Sequence, residues 1–125
     1  MACVLVAEDD RLLSMLLEEI LRSAGHEPRH AFDGCEALEL LRAPGARFEL
    51  TVIDLVMPRL DGAQLIEICR REFPAMPLLL TSGYSREYVF ERLGERLPDH
   101  FLPKPWDADE LAAVVSALLA GRDRP

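Results

Sequence analysis

The chain has 125 residues, half of them hydrophobic, and a formal net charge of −8 from 14 basic and 22 acidic side chains. This length and composition fit a single domain with one core, so we expect one domain over residues 1–125, with 121–125 as a short tail. The negative charge argues against binding to nucleic acids or to anionic membranes, and no apolar run is long enough to span a membrane.

Five short apolar segments, each followed by a helical pattern, recur along the chain. They start roughly 22 to 27 residues apart, which is the spacing of alternating strands and helices. The segments are CVLVA from Cys3, PRHAF from Pro28, LTVID from Leu50, PLLLT from Pro77 and HFLP from His100. The pattern predicts an α/β fold with a five-stranded parallel sheet and helices on both of its faces. The first, third and fourth segments are almost wholly apolar, as central strands of such a sheet must be.

Each predicted helix has a start signal, a stop signal or both. The first helix runs from Arg11 to Ala24 and carries apolar residues on overlapping faces. Three aspartates are followed three residues later by Glu or Gln, the spacing of a capping box: Asp33 with Glu36, Asp61 with Gln64, and Asp107 with Glu110. Ser85 is the expected cap of the fourth helix, which Gly94 would end, and Gly121 is expected to end the last helix.

Polar residues that a core would not need follow four of the predicted strands. Asp54 ends the third strand inside a hydrophobic run, where an unpaired charge costs free energy. In open parallel sheets the working site lies outside the carboxyl ends of the strands. We therefore expect one polar rim, formed by Glu8, Asp9 and Asp10, by Asp54, by Thr81 and Ser82, and by Lys104 and Pro105.

The residue types on this rim suit phosphoryl chemistry. Adjacent carboxylates repel one another unless a cation joins them, and an all-oxygen set suits Mg²⁺. A lysine and a hydroxyl would hold phosphoryl oxygens, and a carboxylate can itself be the nucleophile, which forms an aspartyl phosphate. Each part alone has a plainer explanation, since the acidic run after the first strand can cap a helix and the other residues can form turns.

Taken together, four segments resemble a known family, the CheY-like receiver domains of two-component response regulators. They are VLVAEDD, DLVMPRLDG, LLLTSGYS and FLPKPWD, and the resemblance covers essentially the whole chain. It implies a flavodoxin-like, doubly wound sheet with the strand order 2-1-3-4-5. It also implies a phosphorylation-activated signalling switch rather than an enzyme, with a sensor histidine kinase or a histidine phosphotransfer protein as the phosphodonor.

The resemblance gives most of the rim residues a role. Asp54 would be the phosphoacceptor, Lys104 would bind the phosphoryl group, and Thr81 would act with Phe101 as the switch pair. Asp10 would cap the first helix. The implied Mg²⁺ ligands are Glu8 (through water), Asp9, Asp54 and the backbone carbonyl of Val56.

Two further features are implied by the same resemblance. The peptide bond between Lys104 and Pro105 should be cis, since a tight bend is needed to turn the lysine into the site. The fourth helix, fifth strand and fifth helix should form the surface for a downstream protein partner, without direct contact to nucleic acid.

Other functions share parts of this pattern. A Mg²⁺-dependent phosphohydrolase with an aspartyl nucleophile would need a second aspartate two residues after the first, where this chain has Val56. A nucleotide or flavin module would need a glycine-rich loop after the first strand, where AEDDRLL offers carboxylates. The complete acidic set argues against an interaction domain that is never phosphorylated.

The three cysteines, Cys3, Cys35 and Cys69, have neither the spacing of a metal site nor that of a disulfide framework. We therefore expect reduced thiols and a cytoplasmic location.

Overall fold

The computed structural model describes residues 2–122, which form one five-stranded parallel sheet and five helices. The strands are β1 (Cys3–Ala7), β2 (Glu27–Ala31), β3 (Leu50–Asp54), β4 (Leu78–Ser82) and β5 (His100–Pro103). The helices are α1 (Arg11–Ser23), α2 (Gly34–Arg42), α3 (Gly62–Glu72), α4 (Arg86–Leu93) and α5 (Ala108–Arg122). The strand order β2-β1-β3-β4-β5 confirms the predicted topology.

The three central strands are apolar because helices cover both of their faces. On one face, Leu5 and Ile53 pack with residues of α2, α3 and α4. On the other face, Val6 and Val52 pack with residues of α1 and α5. Each such aliphatic side chain stabilises the fold by about 1.5–3 kcal/mol when it is fully buried. The two clusters confirm a doubly wound arrangement.

The two edge strands differ from the central ones in composition. β2 reads EPRHA and β5 reads HFLP, and each is exposed at part of its length. Pro28 lies within β2 and Pro103 is the last residue of β5. Proline has no N–H to donate to a ladder and is confined to the edges of sheets, so these residues agree with the observed strand order.

Most of the predicted helix signals are confirmed. The side chains of Asp33 and Ser85 accept hydrogen bonds from backbone N–H groups three residues later, at the starts of α2 and α4. Asp61 and Gln64 form a complete capping box at the start of α3. Gly94 has the positive φ of +61° that suits a helix stop.

The predicted end of the last helix was wrong. α5 continues through Gly121 to Arg122, so the first two residues of the expected tail are helical. A glycine inside a helix costs only about 1 kcal/mol relative to alanine, which makes it a weak stop signal unless the backbone turns there. The rest of the expected tail, 123–125, lies outside the described residues. Ala108 begins the helix directly after Asp107, the predicted cap.

The apolar residues of α1 do not all face the core. Leu17 and Leu21 are buried against the sheet, whereas Leu12, Met15 and Leu16 are exposed at 79%, 59% and 51% of their surface. The sequence pattern does not identify the buried side of this helix, because its apolar residues lie on overlapping faces. The structure buries one side and leaves a second apolar side in solvent.

Candidate functional site

Three charged side chains from three different strands meet at the carboxyl edge of the sheet. Asp54 is the last residue of β3, Glu8 directly follows β1, and Lys104 directly follows β5. The Lys104 Nζ atom lies 2.7 Å from Glu8 Oε1 and 3.2 Å from Asp54 Oδ1. The carboxylate at the end of an apolar strand is therefore paired, which offsets the cost of burying it.

Backbone contacts with β4 aim the lysine at this site. The Lys104 N–H donates to the carbonyl of Ser82 at 2.8 Å, which continues the pairing of β5 with β4 beyond the last strand residue. The peptide bond between Lys104 and Pro105 is cis, as the resemblance implied. Thr81 stands opposite Asp54 in the register of β3 and β4 and is 1% exposed. The predicted phosphoacceptor, hydroxyl and lysine thus occupy one edge.

The carboxylates of Glu8, Asp9 and Asp54 form a compact cluster, with one oxygen from each lying within 4.8 Å of the others. Ligands of a single octahedral Mg²⁺ are about 3 to 4 Å apart, so small side-chain rotations would bring this set onto one ion. Both Glu8 oxygens already have donors, because Lys104 Nζ contacts Oε1 and the Asp10 N–H contacts Oε2 at 3.1 Å. This favours a water-mediated role for Glu8. The donor set therefore fits a hard divalent cation.

The environment of Asp54 makes its side chain harder to ionise than an ordinary aspartate. Burial, assisted by the negative charge of Glu8, raises the pKa of Asp54 to about 7, and Lys104 only partly opposes this rise. Burial alone would lower the pKa of Lys104, but the hydrogen bond to Glu8 and the charges of the two carboxylates raise it. The lysine is therefore charged at neutral pH. A divalent cation beside Asp54 would favour the ionised, nucleophilic carboxylate.

The loop after β3 requires glycine at its close. The Gly62 N–H donates to the carbonyl of Leu55 at 2.8 Å. A Cβ atom at Gly62 would lie 2.5 Å from the carbonyl oxygen of Asp54, a distance that no substitution could keep without moving the backbone. The last glycine of DLVMPRLDG therefore permits the close return of the chain beneath the phosphoacceptor.

Two ion pairs that the sequence did not reveal hold this loop between neighbouring helices. Arg59 Nε lies 3.1 Å from Asp33 Oδ2, and Arg92 Nη2 lies 2.7 Å from Asp61 Oδ2. The two acceptors are the N-cap residues of α2 and α3. The partners are 26 and 31 residues apart, so no local pattern could have paired them.

The predicted switch aromatic packs inward. Phe101 is 8% exposed, and its ring meets Phe90 of α4 edge to face with the centroids 6.0 Å apart. The guanidinium of Arg86 lies 5.4 Å from the centre of the Phe101 ring and 5.7 Å from that of Phe90. The ring thus lies in the core, between β5 and α4.

The sequence matches the family described as response regulator receiver domain over residues 4–116. It is 33% identical over 122 residues to the sensor kinase CckA of Brucella abortus, which covers 98% of this chain and 13% of that protein. It is 36% identical over 118 residues to the response regulator MprA of Mycobacterium ulcerans, which covers 93% of this chain and 49% of that protein.

A solved structure agrees with these matches. The signal receiver domain of a signal transduction histidine kinase from Syntrophus aciditrophicus superposes with a TM-score of 0.91 at 28% identity, over 100% of this chain and 95% of that one.

The chain thus spans less than half the length of these two curated relatives. Among residues 2–122, no helix is long and apolar enough to cross a membrane. The family match covers all of the strand residues except Cys3, together with the residues of the acidic edge. The chain belongs to the receiver domains of response regulators and is a phosphoacceptor domain that acts as a phosphorylation-driven signalling switch.

Proposed function

We propose that Asp54 is the residue that accepts the phosphoryl group. The observation that carries this proposal is the contact of the Lys104 ammonium with the Asp54 carboxylate at the end of a buried strand. One Asp54 oxygen would attack phosphorus, and the bond from phosphorus to the donor nitrogen or oxygen would break, with its electron pair leaving on the donor. Lys104 and the Thr81 hydroxyl would then hold phosphoryl oxygens.

We further propose that Mg²⁺ is held by Asp9 and Asp54, by the Val56 backbone carbonyl, and by Glu8 through water. The compact carboxylate cluster supports this assignment. When bound, the ion would neutralise charge on the phosphoryl oxygens during transfer. The chain's own contribution is the preformed cluster, which keeps Glu8 and Lys104 paired so that the ammonium stays beside the phosphoacceptor.

The donor is a histidine kinase or a histidine phosphotransfer protein, and the output surface is the face of α4, β5 and α5. The contacts of Phe101 with Phe90 and Arg86 support this surface, because they join β5 to α4 one strand away from Thr81. A phosphoryl oxygen would draw the Thr81 hydroxyl inward, and the ring of Phe101 would fill the space that the hydroxyl leaves. We propose that this local change alters the surface that a protein partner reads.

We also propose that residues 1–125 hold a single receiver domain and that it works in the cytoplasm. The family match over residues 4–116 supports the first proposal. The free thiols of Cys3, Cys35 and Cys69 suit a reducing compartment and support the second.

Mass spectrometry after treatment with acetyl phosphate and Mg²⁺ tests the phosphoacceptor. The wild type should gain one phosphoryl group, and Asp54→Asn should gain none. Asp10→Asn is the matched control, since Asp10 is an exposed helix cap whose side chain accepts from the Leu13 N–H, a bond that asparagine can also make. That variant should be phosphorylated like the wild type. Retention of the modification in Asp54→Asn would overturn the assignment.

The same preparations should be assayed with p-nitrophenyl phosphate. Val56 stands where a phosphohydrolase would need its general acid and has no proton to donate. We therefore expect no catalytic turnover of this substrate. Sustained release of phosphate that is lost in Asp54→Asn would favour the phosphohydrolase instead.

A further inference from the structure

The imidazole of His30 contacts the backbone of the acidic edge. His30 lies near the end of β2, and its Nε2 atom is 2.7 Å from the carbonyl oxygen of Glu8. A carbonyl oxygen can only accept a hydrogen bond, so Nε2 carries a proton and is the donor. His30 lies outside the four segments that resemble receiver domains, and the resemblance therefore gives it no role.

This hydrogen bond extends the pairing of β1 with β2 beyond the last strand residues. The last paired residues are Ala7 and Ala31, and the Glu8 N–H donates to the carbonyl of Ala31 at 3.1 Å. β2 ends at Ala31, and the bond to the Glu8 carbonyl comes from a side chain of the same strand. Glu8 is 2% exposed, so its carbonyl has little access to water and would lose free energy without a donor.

The bonded carbonyl belongs to the peptide that joins Glu8 to Asp9, the two acidic residues after β1. A peptide unit is planar, so the Glu8 carbonyl and the Asp9 N–H turn together. A hydrogen bond that fixes this carbonyl therefore sets the direction in which the chain leaves β1. Asp9 is exposed and lies between β1 and α1, so the orientation of this peptide determines where its carboxylate can reach.

Contacts of Phe32 hold the imidazole in place. The rings of His30 and Phe32 meet edge to face with their centroids 4.2 Å apart. The guanidinium of Arg11, the first residue of α1, lies 5.2 Å from the centre of the Phe32 ring. These contacts connect the imidazole to the start of the helix that follows Asp9. Packing against Phe32 thus restricts the rotation of the His30 side chain, which keeps its Nε2–H on the Glu8 carbonyl.

We propose that His30 is a positioning residue for the divalent cation, because its Nε2–H orients the peptide between Glu8 and Asp9 and so keeps both carboxylates where the ion needs them. The inference rests on the Mg²⁺ ligands proposed above. Replacing a group that hydrogen-bonds to a metal ligand typically weakens metal binding by about 10- to 100-fold. His30 bonds to the main chain of a ligand and not to its carboxylate, so we expect the lower end of this range, about tenfold.

The test is a titration of the metal-free protein with Mg²⁺ alone, at one pH, in which the NMR chemical shifts of the backbone amides give the Kd. His30→Met and His30→Gln are a matched pair, because both new side chains are unbranched and similar in length, but only glutamine has an N–H donor at its end. His30→Met should raise the Kd for Mg²⁺ about tenfold. His30→Gln should restore most of the wild-type affinity.

His100→Met is the control, since it makes the same replacement at an exposed position of β5, the other edge strand. This variant should keep the wild-type Kd. Thermal melting checks that each variant is folded. If His30→Met does not fold, His30→Phe takes its place, because phenylalanine keeps a ring beside Phe32 but has no hydrogen-bond donor.

Two results would overturn the role of His30 alone. One is an unchanged Kd in the folded variant without a donor, and the other is an equal rise in Kd in His30→Gln, because the hydrogen bond would then not matter. If Mg²⁺ shifted no resonances of Glu8, Asp9 and Asp54 in the wild type, the proposed ligand set itself would be wrong, and the inference would fall with it.

Discussion

Replacing Asp54 by asparagine should stabilise the metal-free protein, although it removes the proposed phosphoacceptor. Asparagine has the shape of the protonated acid and no charge. In the wild type, burial and the Glu8 carboxylate raise the pKa of Asp54 to about 7, so the ionised form is disfavoured in the folded state. The unfolded chain titrates this group near a pKa of about 3.9. The substitution removes this difference in pKa between the folded and unfolded states, because asparagine does not titrate.

The magnitude follows from the two pKa values. Because the folded-state pKa lies above the unfolded one, the wild type loses stability as the pH rises from about 4 to about 7, and the loss persists above pH 7. A difference of about three pKa units corresponds to about 4 kcal/mol, which is the upper bound for the gain in Asp54→Asn at pH 8. For a chain of this length, that is a rise in Tm on the order of 10 °C. At pH 5 the folded wild type already carries the proton, and the gain should fall to about 1–2 kcal/mol.

Thermal melting in the presence of a chelator, at pH 5 and pH 8, measures this effect. Asp10→Asn is the control, since Asp10 is exposed and asparagine can keep the cap of α1. Adding Mg²⁺ at ten times its Kd should stabilise the wild type by about 1.4 kcal/mol and Asp54→Asn by less. If metal-free Asp54→Asn melted below the wild type at pH 8, Asp54 would not be a strained member of an acidic cluster.

Further predictions concern the loop, the lifetime, the switch and a buried thiol. Gly62→Ala should lower the free energy of unfolding, measured with denaturant, by more than about 2 kcal/mol, because the new Cβ would lie 2.5 Å from a backbone oxygen. Gly83→Ala is the control, since a Cβ there meets open space, and an equally small effect of both substitutions would contradict the prediction. The phosphorylated form should be long-lived, since the Val56 side chain offers no hydrogen bond to orient the attacking water. The decay rate is measured as release of phosphate, and an unchanged rate in Val56→Asn would show that this position does not govern hydrolysis. Thr81→Ala should still be phosphorylated but should lose the effect of phosphorylation on partner binding, and calorimetry that found the effect intact would contradict the coupling. Burial raises the pKa of the Cys69 thiol to about 12, so at pH 8 it should resist thiol reagents until the chain unfolds; labelling of the native protein at the rate of an exposed thiol, seen by mass spectrometry, would disprove this.

The strands were predictable because their composition reflects their position in the sheet. A parallel strand with helices on both faces must be apolar throughout, and LTVID is buried at all of its residues. Asp54 was conspicuous for the same reason, because a charge in such a strand needs a partner. The order of the strands came from the family resemblance, since apolar composition identifies central strands without ordering them.

The remaining features depend on contacts between distant parts of the chain. Lys104 and Glu8 are 96 residues apart, and only the folded sheet brings them to 2.7 Å. The exposure of Leu16 could not be predicted, because apolar residues occur around most of α1 and do not identify its buried side. The helix nevertheless has more apolar residues than a single buried stripe needs, and this excess indicates a second apolar surface. The inward position of Phe101 depends on Phe90 and Arg86 of α4, which no strand pattern reveals.

The prolines of the two edge strands bear on how this domain behaves beside other chains. An exposed strand edge can pair with a strand of another molecule, which leads to swapping or to aggregation. Pro28 removes one N–H from β2, and Pro103 removes another at the end of a four-residue β5. Neither edge can therefore accept a continuous added strand along its full length. The domain can therefore lie at high concentration beside other copies, or beside other segments of a longer protein, without adding a sixth strand to its sheet.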